Sequence, residues 1–95
     1  MAAEPGGPAG GMRSVLTALR ILEEVAARQP VGVSDLSRAL GLPKSSVQRG
    51  VRTLHEAAWL KPTDTTPTRW QLSLKALTVG LAATAATGLQ EIALE

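Results

Sequence analysis

The sequence contains no cysteine, no phenylalanine and no tyrosine, and a single histidine, His55. Each absence closes off a class of chemistry. Without cysteine there is no disulfide, no thiolate zinc site and no thiol nucleophile, and one histidine cannot by itself build a metal site. His55 has no paired carboxylate beside it, so neither catalysis nor a cofactor is expected. Without Phe or Tyr the core has to be assembled from Leu, Val, Ile and Ala, a mixture that suits helices better than a large sheet. At 95 residues the chain fits one small domain with a modest core and leaves no room for a cleft between two lobes.

Export and membrane signals are also missing. The opening stretch MAAEPGGPAGG has neither a basic nor an apolar region of the kind a signal peptide needs. Its Gly, Pro and Ala content reads as a disordered arm over residues 1–12. The uncharged run from Ala76 to Gln90 is too short, and too rich in Thr and Gly, to span a bilayer. The expectation is a soluble, cytoplasmic protein with no membrane partner.

What charge there is lies unevenly. The formal net charge is only +2, yet between Lys44 and Lys75 six cations (Lys44, Arg49, Arg52, Lys61, Arg69 and Lys75) stand against two anions, Glu56 and Asp64. A local basic field attracts polyanions, nucleic acid first among them, although a solvated surface can look the same.

Hydrophobic spacing organises the chain into helices. From Ser14, a plausible N-cap, to Arg28, Val15, Leu16, Leu19, Leu22, Val25 and Ala26 recur at three and four residues. Pro30 ends this first helix. Ser34 and Asp35 signal the start of a second, with Leu36, Ala39 and Leu40 as its short apolar face. Gly41 suits the left-handed conformation that closes a helix, and Pro43 suits the first turn of the next. The third helix then covers residues 43–57, with Val47, Val51 and Leu54 as its buried stripe.

At 100° per residue, Ser45, Arg49, Arg52 and Glu56 fall opposite that stripe, with Gln48 on one flank and Ser46 on the other. A solvated face with an Arg52–Glu56 pair would explain the same pattern. Beyond it, Trp59-Leu60-Lys61-Pro62 and Arg69-Trp70-Gln71-Leu72 flank the polar stretch TDTTPT, which reads as a small β-hairpin with a mobile tip. Trp59 and Trp70 are expected to pack the hairpin onto the helices. Residues 74–86 form a last helix, apolar at Leu74, Leu77, Val79, Leu81 and Ala85, whose stripe calls for a partner such as a second copy of the chain. Gly88 breaks the pattern, and a further helix restarts at Leu89.

The expected fold is therefore mainly α with a small β-hairpin: a winged helix-turn-helix over residues 13–72, followed by a linker helix within 73–95. In that arrangement the second helix of the motif enters the major groove of double-stranded DNA. Arg matches guanine bidentately, Gln matches adenine and Ser several acceptors, so Ser45, Gln48, Arg49 and Arg52 form a reading set. Lys44 at the helix start and Arg69 beside the wing suit phosphate.

The segments SVLTALRILEEVA, LSRALGLPKSSVQRGVRTLHEAAWLKP and RWQLSLKALTVG resemble, in order, the first helix, the helix-turn-helix and the wing exit of the IclR (isocitrate lyase regulator) family of bacterial transcription regulators. GLPKSSVQR is the most specific part. The resemblance implies a domain that binds a palindromic operator as a homodimer. It also implies a linker helix leading to a C-terminal domain, absent from this chain, that takes a small-molecule effector. The ending LQEIALE resembles the first turns of that domain. Carried over by position, the groove-facing helix falls on Lys44, Ser45, Ser46, Gln48, Arg49 and Arg52.

Two features depart from the family pattern. Gly50 stands where a bulky apolar residue is common, and Gly inside a helix costs ~1 kcal/mol relative to Ala. Either the helix is softer there or another element packs close. The wing tip lacks the usual Gly and carries one acid and no base, which predicts a weak minor-groove contact or none. An alternative use of the same fold is protein association through helix 74–86, since fold alone does not choose between the two.

Overall fold

The structure is a computed structural model that describes residues 6–87, with side chains from 11 to 86. Four helices and two short strands follow one another as α1 (Gly6–Arg28), α2 (Val33–Leu40), α3 (Lys44–Glu56), β1 (Leu60–Pro62), β2 (Trp70–Leu72) and α4 (Leu74–Thr87). The helix expected to restart at Leu89 and the LQEIALE segment lie outside the described residues.

The buried core is purely aliphatic, as the lack of Phe and Tyr requires. Ile21 and Val25 of α1, Leu36 of α2, Val47, Val51 and Leu54 of α3, Val31 and Leu60 form one cluster. Ala18, Leu22, Leu42, Trp59, Trp70 and Leu72 close around it. Each fully buried Val, Leu or Ile contributes roughly 1.5–3 kcal/mol relative to an exposed one.

In α3 the buried stripe is the expected one. In α1 it is not. Val15, Leu16 and Leu19 are exposed, and Ile21 is fully buried. The helix is apolar on two adjacent faces, and spacing cannot say which of them meets the core. The α1 start also differs: the helix begins at Gly6, so Ser14 lies inside it rather than at its N-cap. Pro8 falls in the first turn, where its missing N–H is no loss.

The turn between α2 and α3 follows from two residues. Gly41 adopts φ 66°, ψ 35°, the left-handed C-cap, and its N–H donates to the Ser37 carbonyl. The Leu42 N–H donates to the same carbonyl at 3.1 Å, and the Ser37 hydroxyl donates back to the Leu42 carbonyl. Pro43 serves as the N-cap of α3, one position earlier than the first-turn site expected for it. The cap of α2 is Gly32, not Ser34, and it makes no side-chain bond. Val33 thus opens the helix and packs against the core cluster.

β1 and β2 pair antiparallel, with Leu60 opposite Leu72, Lys61 opposite Gln71 and Pro62 opposite Trp70. A third short edge, invisible to the hydrophobic pattern, holds them. Val31 and Trp70 exchange two backbone hydrogen bonds of 3.0 and 2.8 Å, and the Leu72 N–H donates to Gln29 Oε1 at 2.8 Å. The hairpin tip, expected to be mobile, is tied internally. The Thr63 N–H donates to the Arg69 carbonyl at 2.8 Å, Thr63 and Thr65 hydroxyls meet at 2.6 Å, and the Thr65 hydroxyl reaches the Pro67 carbonyl at 2.9 Å. Both tryptophans pack against the core as expected.

Gly50 explains its own presence. A Cβ built there would lie 2.4 Å from Cδ1 of Ile21. Its hydrogen is what lets α1 lie directly on the backbone of α3. Elsewhere in a helix Gly→Ala gains ~1 kcal/mol, but overpacking a filled core costs roughly 1–3 kcal/mol. Gly50→Ala is therefore expected to lower stability by about 1 kcal/mol in urea unfolding. In the Ile21→Val background, which deletes the clashing Cδ1 methyl, the same substitution is expected to cost nothing or to stabilise.

Candidate nucleic-acid interface

The core fixes which side of α3 faces outward. With Val47, Val51 and Leu54 turned in, Lys44, Ser45, Gln48, Arg49 and Arg52 are exposed and Ser46 is half-buried. Ser45, Gln48, Arg49 and Arg52 are spaced three, four and seven residues apart, which places them in one stripe along the helix. Gln48 and Arg52 border a cleft closed by the start of α2 and by the hairpin tip, where Ser34, Thr68 and Arg69 meet them. Ser46 and Arg49 lie on the opposite flank, beside α1. The residues singled out in the sequence are thus brought to one surface, and Arg69 reaches it from the wing.

Among the described residues, four cations elsewhere are engaged within the protein, while Arg13 and Lys61 are not. Arg28 bonds Glu24, and Arg38 bonds Asp35. Arg20 donates to the Leu40 carbonyl at 3.5 Å. Lys75 donates to the Ala57 carbonyl at 2.7 Å and sits 5.1 Å from the centre of the Trp59 ring. Among the described residues, the side chains of Lys44, Arg49, Arg52 and Arg69 make no hydrogen bond or ion pair within the protein. The Arg52–Glu56 pair of the solvated-face reading is not formed.

The backbone adds donors of its own. Pro43 caps α3 without a side-chain bond, so the first N–H groups of the helix point outward uncapped beside Lys44 and Ser45. Such an end, with its partial positive charge, suits an anion. The uncapped start of α2 at Gly32 opens toward the cleft under the wing. Ser34 and Thr68 were not among the residues selected from the sequence. The sequence signal for Ser34 was an N-cap, which the structure assigns to Gly32.

His55, the one candidate for acid–base or metal chemistry, is occupied in holding the wing. Its Nδ1 lies 3.0 Å from the Leu60 carbonyl, and its ring stands 5.5 Å from that of Trp70 at 60°. Among the described residues no group of three or more His, Cys, Asp or Glu comes together. No helix among them is long and apolar enough to cross a membrane.

An aliphatic three-helix core, a Gly41-centred turn, an exposed basic third helix and a two-stranded wing make a winged helix-turn-helix. Residues 14–64 match the IclR helix-turn-helix domain family. The chain belongs to that family. An IclR domain is the DNA-binding part of a transcription regulator, a role that is not enzymatic.

Solved structures agree. The IclR domain described here is similar to the crystal structure of Pseudomonas aeruginosa HmgR, with 31% identity over 77% of this chain and 30% of that one, at a TM-score of 0.68. An IclR family transcriptional regulator from Brucella abortus is 21% identical over 83% of this chain and 30% of its own, at 0.71. The Zalpha domain of Carassius auratus PKZ, solved in complex with Z-DNA, is 18% identical over 63% of this chain and 97% of its own, at 0.60. The last two likenesses speak to the fold alone. This chain spans about 30% of the length of the two bacterial proteins. No curated protein sequence matches it.

Proposed function

We propose that this chain is the operator-reading part of a cytoplasmic bacterial regulator and that it binds a palindromic site in double-stranded DNA as a homodimer. In this reading α3 lies in the major groove. Ser45, Gln48, Arg49 and Arg52 address base edges, while Lys44, Ser46 and Arg69 hold phosphates. The observation that carries it is the set of unpaired cations on the exposed face of α3 and on the wing. Arginines left without protein partners on the outward face of α3, opposite its buried stripe, are available to a polyanion. The neighbouring arginines, Arg28 and Arg38, are neutralised locally.

Residues 13–72 form the DNA-binding domain in this reading. Residues 73–95 are the linker toward a C-terminal domain that binds a small-molecule effector. Dimerisation is supported by the exposed apolar residues Leu74, Leu77, Val79 and Leu81 of α4. The same α4 surface favours a second reading, a protein-association module. That role gives no reason to keep Arg49 and Arg52 unpaired and exposed.

Binding of variants to duplexes selected from a random pool separates the roles. Arg49→Ala is expected to cost ~1–3 kcal/mol on the selected site and to relax preference at one base position, whereas Lys44→Ala weakens all duplexes alike. Equal losses on selected and random DNA for both variants would contradict base reading by Arg49. In sedimentation across micromolar concentrations the chain is expected to populate a dimer; a monomer throughout would contradict the proposed assembly.

A further inference from the structure

The flank of α3 away from the wing is not open to solvent alone. Because Ile21 sits on Gly50, the N-terminal half of α1 runs beside the first turns of α3 and the two helices enclose a groove. Arg13 and Thr17 line it from α1, and Ser46, Arg49 and Thr53 from α3. The floor is Ala18 and Gly50. Two guanidiniums and four hydroxyls, those of Ser14, Thr17, Ser46 and Thr53, thus line one channel, and among the described residues no carboxylate lines it. Arg20 and Arg28, further along α1, are engaged by the Leu40 carbonyl and Glu24. Arg13 is exposed and, among the described residues, has no hydrogen bond or ion pair.

The dimensions of DNA give this groove an occupant. An α-helix with its side chains is about 10–12 Å across, and the major groove is about 12 Å wide. A helix lying in that groove therefore has one sugar–phosphate strand against each flank. On one flank α2 and the wing supply the wall, with Arg52 and Arg69. On the other only α1 is within reach. We propose that the α1–α3 groove seats the second sugar–phosphate strand, with Arg13 and Thr17 as phosphate contacts of the N-terminal helix. Arg49, shared between this groove and the exposed stripe, then stands at the border between backbone and base edges. The proposal rests on the reading that α3 enters the major groove.

A second copy of the chain is the competing occupant, because the exposed apolar residues Val15 and Leu19 also line the groove. Charge complementarity favours the nucleic acid. A second copy seated there would cover Arg13 and Arg49 and would have to bring its own carboxylates to match them.

The test is fluorescence anisotropy of a labelled duplex titrated with Arg13→Ala, Arg13→Lys and Lys44→Ala proteins over a range of salt concentrations, with sedimentation and thermal unfolding alongside. Arg13→Ala is expected to lower the exponent of the salt dependence by about one. It should weaken selected and random duplexes equally and leave the unfolding midpoint and sedimentation unchanged. Arg13→Lys is expected to keep the parent exponent. If Arg13→Ala binds like the parent while Lys44→Ala loses a unit, the groove is not on DNA and the reading of α3 survives. If neither variant changes the exponent, the reading of α3 fails and the groove proposal with it. A shift of Arg13→Ala toward monomer in sedimentation would overturn the proposal in favour of self-association.

Discussion

The contact between Ile21 and the backbone of α3 at Gly50 is the constraint on which the rest of the surface depends. It brings α1 onto α3 at a separation where a Cβ at position 50 would meet the Cδ1 methyl of Ile21 at 2.4 Å. Once that separation is set, Val25, Val47 and Val51 fill the space around it and Leu36 closes α2 against the same cluster. The exposed face of α3 follows as a remainder: whatever is not opposite Val47, Val51 and Leu54 points outward. A core without large aromatic side chains needs such close approach, because aliphatic residues must interdigitate to reach native packing density.

The wing depends on the same core through a different route. The Val31–Trp70 backbone bonds tie β2 to the segment between α1 and α2, and His55 ties the end of α3 to β1. The strip holding Arg69 is thereby fixed relative to Arg52. At the far end Ser73 donates to the Ala58 carbonyl and Lys75 to that of Ala57, so α4 departs from the C-terminus of α3. Cations near these structural junctions are used up in bonds to carbonyls, rings or carboxylates. Those on the outer face of α3 are left for a partner.

Much of this was legible in the residues. Gly41, Leu42 and Pro43 specify the turn, because a left-handed C-cap followed by a helix-initiating proline has few other uses. The Val47–Val51–Leu54 stripe gave the orientation of α3, and with it the exposure of Lys44, Ser45, Gln48, Arg49 and Arg52. The misjudged face of α1 has a plain cause. Its apolar residues cover two adjacent faces, and the choice of Val15, Leu16 and Leu19 over Ile21 needed the position of α3 to correct it. The Val31–Trp70 pairing is a single bridge between distant residues, which leaves no period to read. Gly50 was visible as an anomaly, but only Ile21 says which of its two explanations holds. The roles of Arg13 and Thr17 depend on tertiary placement beside α3, and no motif announces them.

The central claim is that the outward face of α3, flanked by the wing and by α1, is the surface that meets DNA. Titrating the isotope-labelled chain with a short duplex and following backbone amide resonances tests it most directly. The account predicts that the largest changes fall on residues 44–52, on Thr68 and Arg69 of the wing and on the start of α2, while Leu77 to Leu81 of α4 remain unperturbed. Changes concentrated on α4, with α3 and the wing silent, would contradict it.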